Sequence, residues 1–385
     1  MPPIFRVIAA MSIIALLWNL CSHLNPAAAA TSMTIEKQPF GKLDDGTEVY
    51  RYVLTAPDGA NVHLTNFAAT LMHVNVPDRD GELANVNFAF DSIDGYLADH
   101  PYFGSTVGRY ANRIGGAAFT IDGTRYELAA NEGENILHGG PGNWARQCWR
   151  EEGTIERDDR VGVTFVIESP DGHNGFPGNV TARATYLWAA SPTGGHELTF
   201  QYSATTDAPT HVSLTNHSYW NLRGAGTGSA MDHVATIAAD QLLAVDDKLI
   251  PTGEMRPVDG TLFDFRSPRA FGQSVDDESL GLTKGYDHCF VVRGPAGSLR
   301  DVATVHDPAS GREMSIKTTM PGVQLYTGNW LGGGPDTAGA SSHDAFCLET
   351  QYFPNTPNVD SFEGTLLRPG GEWSETTTHR FGVRR

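Results

Sequence analysis

The feature that most constrains this 385-residue chain is its rhythm: short apolar, β-branched runs broken at close intervals by turn signals. Glu48 to Thr55, Val161 to Glu168, Val180 to Trp188 and His196 to Ala204 each read as a strand. In Glu197-Leu198-Thr199-Phe200-Gln201-Tyr202 every second residue can face a core, the period of two that a pleated strand imposes. Asp122-Gly123, Asp171-Gly172 and Pro192-Thr193-Gly194-Gly195 supply turns, within a total of 42 glycines and 22 prolines. Long helical patterns are missing, and only a short helix is expected, near Ser267 to Phe271. A parallel α/β fold would place regular helices between its strands, so the fold class is all-β. Residues 31–385 are too many for a small immunoglobulin-like unit and show no internal repeat or linker. The expectation is a single domain, a large β-sandwich of two sheets. Gly332 to Ser342 reads as an exposed loop beside a cleft.

Residues 1–30 are expected to be a signal peptide. Arg6 gives a positive start, Val7 to Leu20 is almost wholly apolar, and Ala27 to Ala30 offers small residues for cleavage. That apolar run is shorter than the ~20 residues of a bilayer span. The mature chain is therefore expected to be exported, periplasmic or extracellular, without stable membrane insertion. The formal net charge of -18, with 27 lysines and arginines and no basic block, argues against nucleic acid and against an acidic membrane. A neutral substrate suits this balance. Cys21 would leave with the signal. Cys148, Cys289 and Cys347 remain, which allows one disulfide and one free thiol in an exported chain, with no pairing assigned. The expected state is a monomer or weak dimer.

Chemistry concentrates in six polar clusters set inside apolar runs, where an unpaired buried polar group would cost roughly 1 to 3 kcal/mol. They are Gly108 to Ile114, Asn135 to Gly140, Leu214 to Leu222, Gly285 to Phe290, Gln324 to Asn329 and Cys347 to Gln351. Asn, Asp, Gln and Arg in these clusters can satisfy several sugar hydroxyls at once, and Trp and Tyr can lie against a pyranose face. Imidazole and carboxylate can exchange protons near neutral pH. No GxGxxG opens a βαβ unit, and GxxxxGK[ST], GxSxG, HExxH and CxxC are absent. No cofactor and no metal are expected.

The clusters together resemble the aldose 1-epimerase, or galactose mutarotase, family. The matching segments read PYFGSTVGRYANRIGG, NILHGG, LTNHSYWNL, IPTGEMRPVDGTLFDFR, YDHCF, PGVQLYTGNWL and LETQYFPNTPN, in that order. The resemblance implies a galactose mutarotase-like supersandwich, needing no cofactor, that interconverts the α and β anomers of a free monosaccharide such as galactose or glucose. It implies that Glu349 is the general base and His217 the general acid. Asn112, Arg113, His138, Asp287 and Gln324 are implied as substrate-binding residues, with Tyr219 lining the pocket beside the acid. The base and acid are expected as carboxylate and imidazolium, each favouring the other's charge. Asn355 stands where an aspartate is common and is expected to shape a loop. Arg109 and His288 read as structural, and Trp188 and Trp373 as core. Three rival functions are an epimerase of a hexose 6-phosphate, a carbohydrate-binding protein without turnover, and a polysaccharide lyase. Five lysines give no clear phosphate patch.

Overall fold

Alternation in the sequence becomes alternation in burial. In the computed structural model, which describes residues 32–384 apart from Pro192 and Glu363, the strands Val180–Ala190 and His196–Thr206 bury every second side chain. They pair antiparallel in unbroken register, from Val180 opposite Thr206 to Ala190 opposite His196. Gly194 and Gly195, at φ 87° and 79°, make the turn between them, a backbone region open to glycine at no steric cost. The expected signal peptide lies outside the described residues.

These two strands belong to a nine-stranded sheet. Its order is Arg150–Glu156, Arg160–Ser169, Val180–Ala190, His196–Thr206, Trp373–Val383, Arg312–Thr318, Arg300–His306, Val234–Ile237 and Arg269–Ala270. The late strand Trp373–Val383 sits in the middle, hydrogen-bonded to His196–Thr206 on one side and Arg312–Thr318 on the other. A five-stranded sheet runs in chain order from Thr34–Lys42 to Leu83–Asn85. A second five-stranded sheet has the order Pro251–Pro257, Ala239–Val245, Asp287–Val292, Gly322–Tyr326 and Cys347–Gln351.

One continuous hydrophobic cluster joins the three. It takes Tyr52 and Leu64 from the first small sheet, Phe165, Trp188 and Phe200 from the large one, and Phe290, Leu325 and Leu348 from the second small sheet. Tyr52 meets Phe165 edge-on at 5.3 Å between ring centroids. Each such side chain contributes about 1.5–3 kcal/mol by leaving water. The fold is thus an all-β sandwich, as expected, with its second layer divided between two sheets. Trp188 and Trp373 are buried in this core.

One expectation is corrected, and one open possibility is settled. Ser267 to Phe271 is not a helix: Arg269–Ala270 pairs with Val234–Ile237, and a 3-10 turn begins only at Phe271. Pro268 disfavours helical backbone at Ser267, and the Phe271 amide donates to the His233 carbonyl instead of to a helical turn. Among the described residues no disulfide forms: Cys148, Cys289 and Cys347 are free thiols. Cys289 and Cys347 lie on strands separated by the whole Gly322–Tyr326 strand. Two strand spacings of about 4.8 Å exceed the Cα separation of about 7 Å that a disulfide can bridge.

Candidate active site

Three adjacent strands of the second small sheet divide their residues between core and chemistry. Asp287 pairs with Tyr326, which pairs with Cys347, and the next row on the same face runs Cys289, Gln324, Glu349. The intervening residues Phe290, Leu325 and Leu348 enter the hydrophobic core. The period of two therefore places Asp287, Gln324 and Glu349 together on the face opposite the core. The Gln324 amide donates to Asp287 Oδ1 at 2.6 Å.

Loops from earlier in the chain cover that face. His217 is held by its backbone, its amide donating to the Ser105 carbonyl at 3.0 Å while its carbonyl accepts from Gly104 at 2.9 Å. Asn112 and His138 both adopt left-handed backbone, at φ 62° and 53°. They lock together through the Asn112 amide donating to His138 Nδ1 at 3.1 Å and the His138 amide donating to the Asn112 carbonyl at 3.0 Å. Gly139 follows at φ 83°, and a Cβ there would lie 2.4 Å from the Gly108 carbonyl oxygen. Asn355 braces the same region, its amide donating to the Arg113 carbonyl at 2.7 Å and its Oδ1 accepting from Gly115 at 3.0 Å. Its left-handed backbone, at φ 60°, suits asparagine. Arg109 is structural: its buried guanidinium donates to the carbonyls of Pro177 and Gly178 and to Ser169 Oγ. His288 packs on Phe263 and accepts from the Asp287 amide.

At the centre, His217 Nε2 lies 3.7 Å from Glu349 Oε1, with both side chains buried. Glu349 Oε2 and Gln324 Oε1 are buried without a hydrogen-bond partner, two acceptors facing the same side of the sheet. Arg113 forms a bidentate pair with Glu132, both contacts at 2.7 Å. A recess lined by Asn112, Arg113, Leu249, Asp287, Gln324 and Pro354 opens here. The His138 and His217 rings stand 5.3 Å apart. Tyr219 is buried and stacks on His217 at 5.0 Å and 12°.

Burial bears on both partners of the expected ion pair. Burial, reinforced by the nearby Asp287 carboxylate and opposed by Arg113, pushes the Glu349 carboxyl well above its usual range. Burial pulls His217 down to about 4 and His138 well below its ordinary value, the latter helped by His217 and Arg113. Asp287 is also raised by burial, against the pull of Arg113 and Gln324. Desolvation thus works against the charged form of each enclosed partner, the carboxylate and the imidazolium alike.

Sequence reasoning missed two neighbours. Tyr102 faces both imidazoles, at 4.8 Å from His138 and 6.0 Å from His217. Its left-handed φ of 63° within Tyr102-Phe103-Gly104 is not something a tyrosine advertises. Glu132, partner of Arg113, lies in an ordinary polar loop. Cys347 Sγ lies 3.8 Å from His217 Nδ1. With His217 and Glu349 it makes a group of three ligand-type side chains within 4.8 Å. The sulfur and the carboxylate face opposite ring nitrogens, so an ion held by one nitrogen would turn away from the ligand at the other.

Comparison with known proteins places the chain in a family. The family model described as aldose 1-epimerase matches residues 50–380. The chain is 40% identical to galactose mutarotase of Bos taurus over 354 residues, covering 91% of this chain and 99% of that protein. It is 33% identical to aldose 1-epimerase of Escherichia coli K12, covering 88% and 96%. The crystal structure of galactose 1-epimerase from Lactobacillus acidophilus superposes with a TM-score of 0.81 at 25% identity, over 92% of this chain and all of that one. The protein belongs to the aldose 1-epimerase family and is an isomerase of that kind.

Proposed function

We propose that Glu349 and His217 interconvert the α and β anomers of free aldohexoses such as galactose and glucose by opening and closing the ring. The observation that carries this is the buried carboxyl and imidazole 3.7 Å apart, beside polar groups left open on one face. A carboxylic acid with a neutral imidazole holds the same number of protons as a carboxylate with an imidazolium, so one transfer arms the pair. Sugar hydroxyls donating to Glu349 favour the carboxylate once the substrate is seated. Glu349 then takes the C1 hydroxyl proton, His217 gives a proton to the ring oxygen, and the C1–O5 bond opens to the aldehyde. Rotation about C1–C2 presents the other carbonyl face, and the transfers reverse on closure. No electron or hydride leaves the sugar, so the chemistry calls for proton transfer alone. Asn112, Arg113, His138, Asp287 and Gln324 bind the hydroxyls in this reading, and Tyr219 supports His217 by stacking on it. Arg113, the cation of the recess, is engaged by Glu132, which suits a neutral sugar better than a phosphorylated one.

The test is Glu349→Gln, followed by polarimetry from fresh α-glucose with the buffer rate subtracted. The amide keeps shape and hydrogen bonding but not basicity. The expected result is a folded protein that binds sugar and loses about 10²–10⁴-fold in kcat. A variant keeping more than half of the wild-type kcat refutes the mechanism. A monomeric or weakly dimeric single domain remains part of the proposal, as does export, which rests on the N-terminal segment alone. The intact mass of the protein recovered from its host tests export, and a full-length N-terminus there contradicts it.

A further inference from the structure

His217 has two ring nitrogens, and the reaction uses one. Nε2 faces Glu349 and the substrate side; Nδ1 faces Cys347. We propose that Cys347 is a positioning residue whose sulfur accepts the Nδ1 proton of His217, leaving Nε2 as the nitrogen through which protons enter and leave. The inference rests on the acid role assigned to His217.

Three observations converge on it. First, the geometry is enforced by register: Cys347 is two residues before Glu349 on one strand, so both side chains leave the same face and approach the two ends of one imidazole. Second, the sulfur is otherwise enclosed by a hydrophobic cluster that includes Phe103 and Tyr219, with Tyr326 packed against it. Imidazole Nδ1 is the polar neighbour within hydrogen-bonding distance. Third, the ring cannot swing away from that contact. Tyr219 stacks parallel on it, Tyr102 lies over it at 6.0 Å, and the His217 backbone is tied at both amide and carbonyl.

The chemical consequence follows from proton bookkeeping. An imidazolium that gives its Nε2 proton to the ring oxygen becomes the neutral tautomer protonated at Nδ1. An acceptor at Nδ1 stabilises that tautomer and the imidazolium before it, and keeps the bare Nε2 aimed at the reacting atoms when the proton returns. Burial, with Glu349 and Asp287 beside it, pushes the thiol well up, so Cys347 remains a neutral, weakly accepting thiol.

Cys347→Ala removes the acceptor, and Cys347→Ser replaces it with a hydroxyl of similar size. In protein labelled with ¹⁵N-imidazole histidine, with the His217 signals assigned by their loss in His217→Asn, the wild type is expected to show a protonated Nδ1 and a bare Nε2. Cys347→Ala is expected to shift both signals toward tautomer exchange and to lower kcat about tenfold with KM nearly unchanged. Cys347→Ser, the control against a packing defect, is expected to recover most of both. An unchanged ¹⁵N pattern and kcat in Cys347→Ala overturn the proposal, as does a loss of kcat that Cys347→Ser shares while its tautomer stays wild type. A tautomer shift without any change in kcat upholds the contact and instead removes His217 from the role of acid.

Discussion

At the scale of single residues, the sequence singled out His217 and Glu349, which the fold brings to 3.7 Å, but not the burial that surrounds them. Glu349 follows an apolar run and His217 sits inside one, positions where a charged group needs a task. The enclosure that disfavours the charge of each depends on loops from three other regions. His217→Asn keeps polarity and approximate size but cannot donate as an imidazolium does. We expect kcat to fall by about 10²-fold or more with a modest change in KM. Steady-state kinetics on the purified variant decide this, and near-normal kcat would transfer the acid role to His138, the imidazole 5.3 Å away. Tyr102 and Glu132 escaped notice because their value lies in what they touch, a ring pair and a guanidinium brought from distant segments. Tyr219 was read as pocket lining from its place two residues after His217, and its ring stacks on that imidazole.

At the scale of elements, the long strands were legible because each satisfies its own alternation. Glu48–Thr55 and the starts of Val180–Ala190 and His196–Thr206 match the runs read from sequence. The two-residue strands were not, since Arg113–Ile114 with Ile136–Leu137 carries no period and exists only through its partner. Such short pairings shape the site, and they depend on glycine where chains come closest. Gly139→Ala would place a methyl 2.4 Å from the Gly108 carbonyl oxygen on a backbone at φ 83°. We expect a loss of about 1–3 kcal/mol in stability and a raised KM, because the strain sits beside His138. Denaturant titration and Michaelis kinetics read the two effects separately, and a variant unchanged in both would mean that the Asn135–Gly140 turn does not govern the site.

For the whole molecule, length and rhythm gave the sandwich, but the division of its second layer is a tertiary outcome that no local pattern encodes. A collective property also appears here. Burial depresses His63, His211, His217, His233 and His288 to about 4, and His100 and His379 to about 3. A histidine depressed on folding binds its proton more readily when unfolded. Its contribution to stability is complete above its ordinary value of 6.5 and is lost as pH falls through its folded-state value. We therefore expect Tm to hold above about pH 6.5 and to fall steeply toward pH 4, several groups protonating together. Calorimetry across that range is the measurement, and a flat Tm would show these imidazoles to be accessible to protons in the folded state. The position of Trp373–Val383 in the nine-stranded sheet has a consequence in time. A ribosome makes this strand after every strand it pairs with, so His196–Thr206 and Arg312–Thr318 wait through synthesis as two unjoined edges. The large sheet closes from its middle, and a nascent chain stays unfinished as a fold until that stretch has emerged.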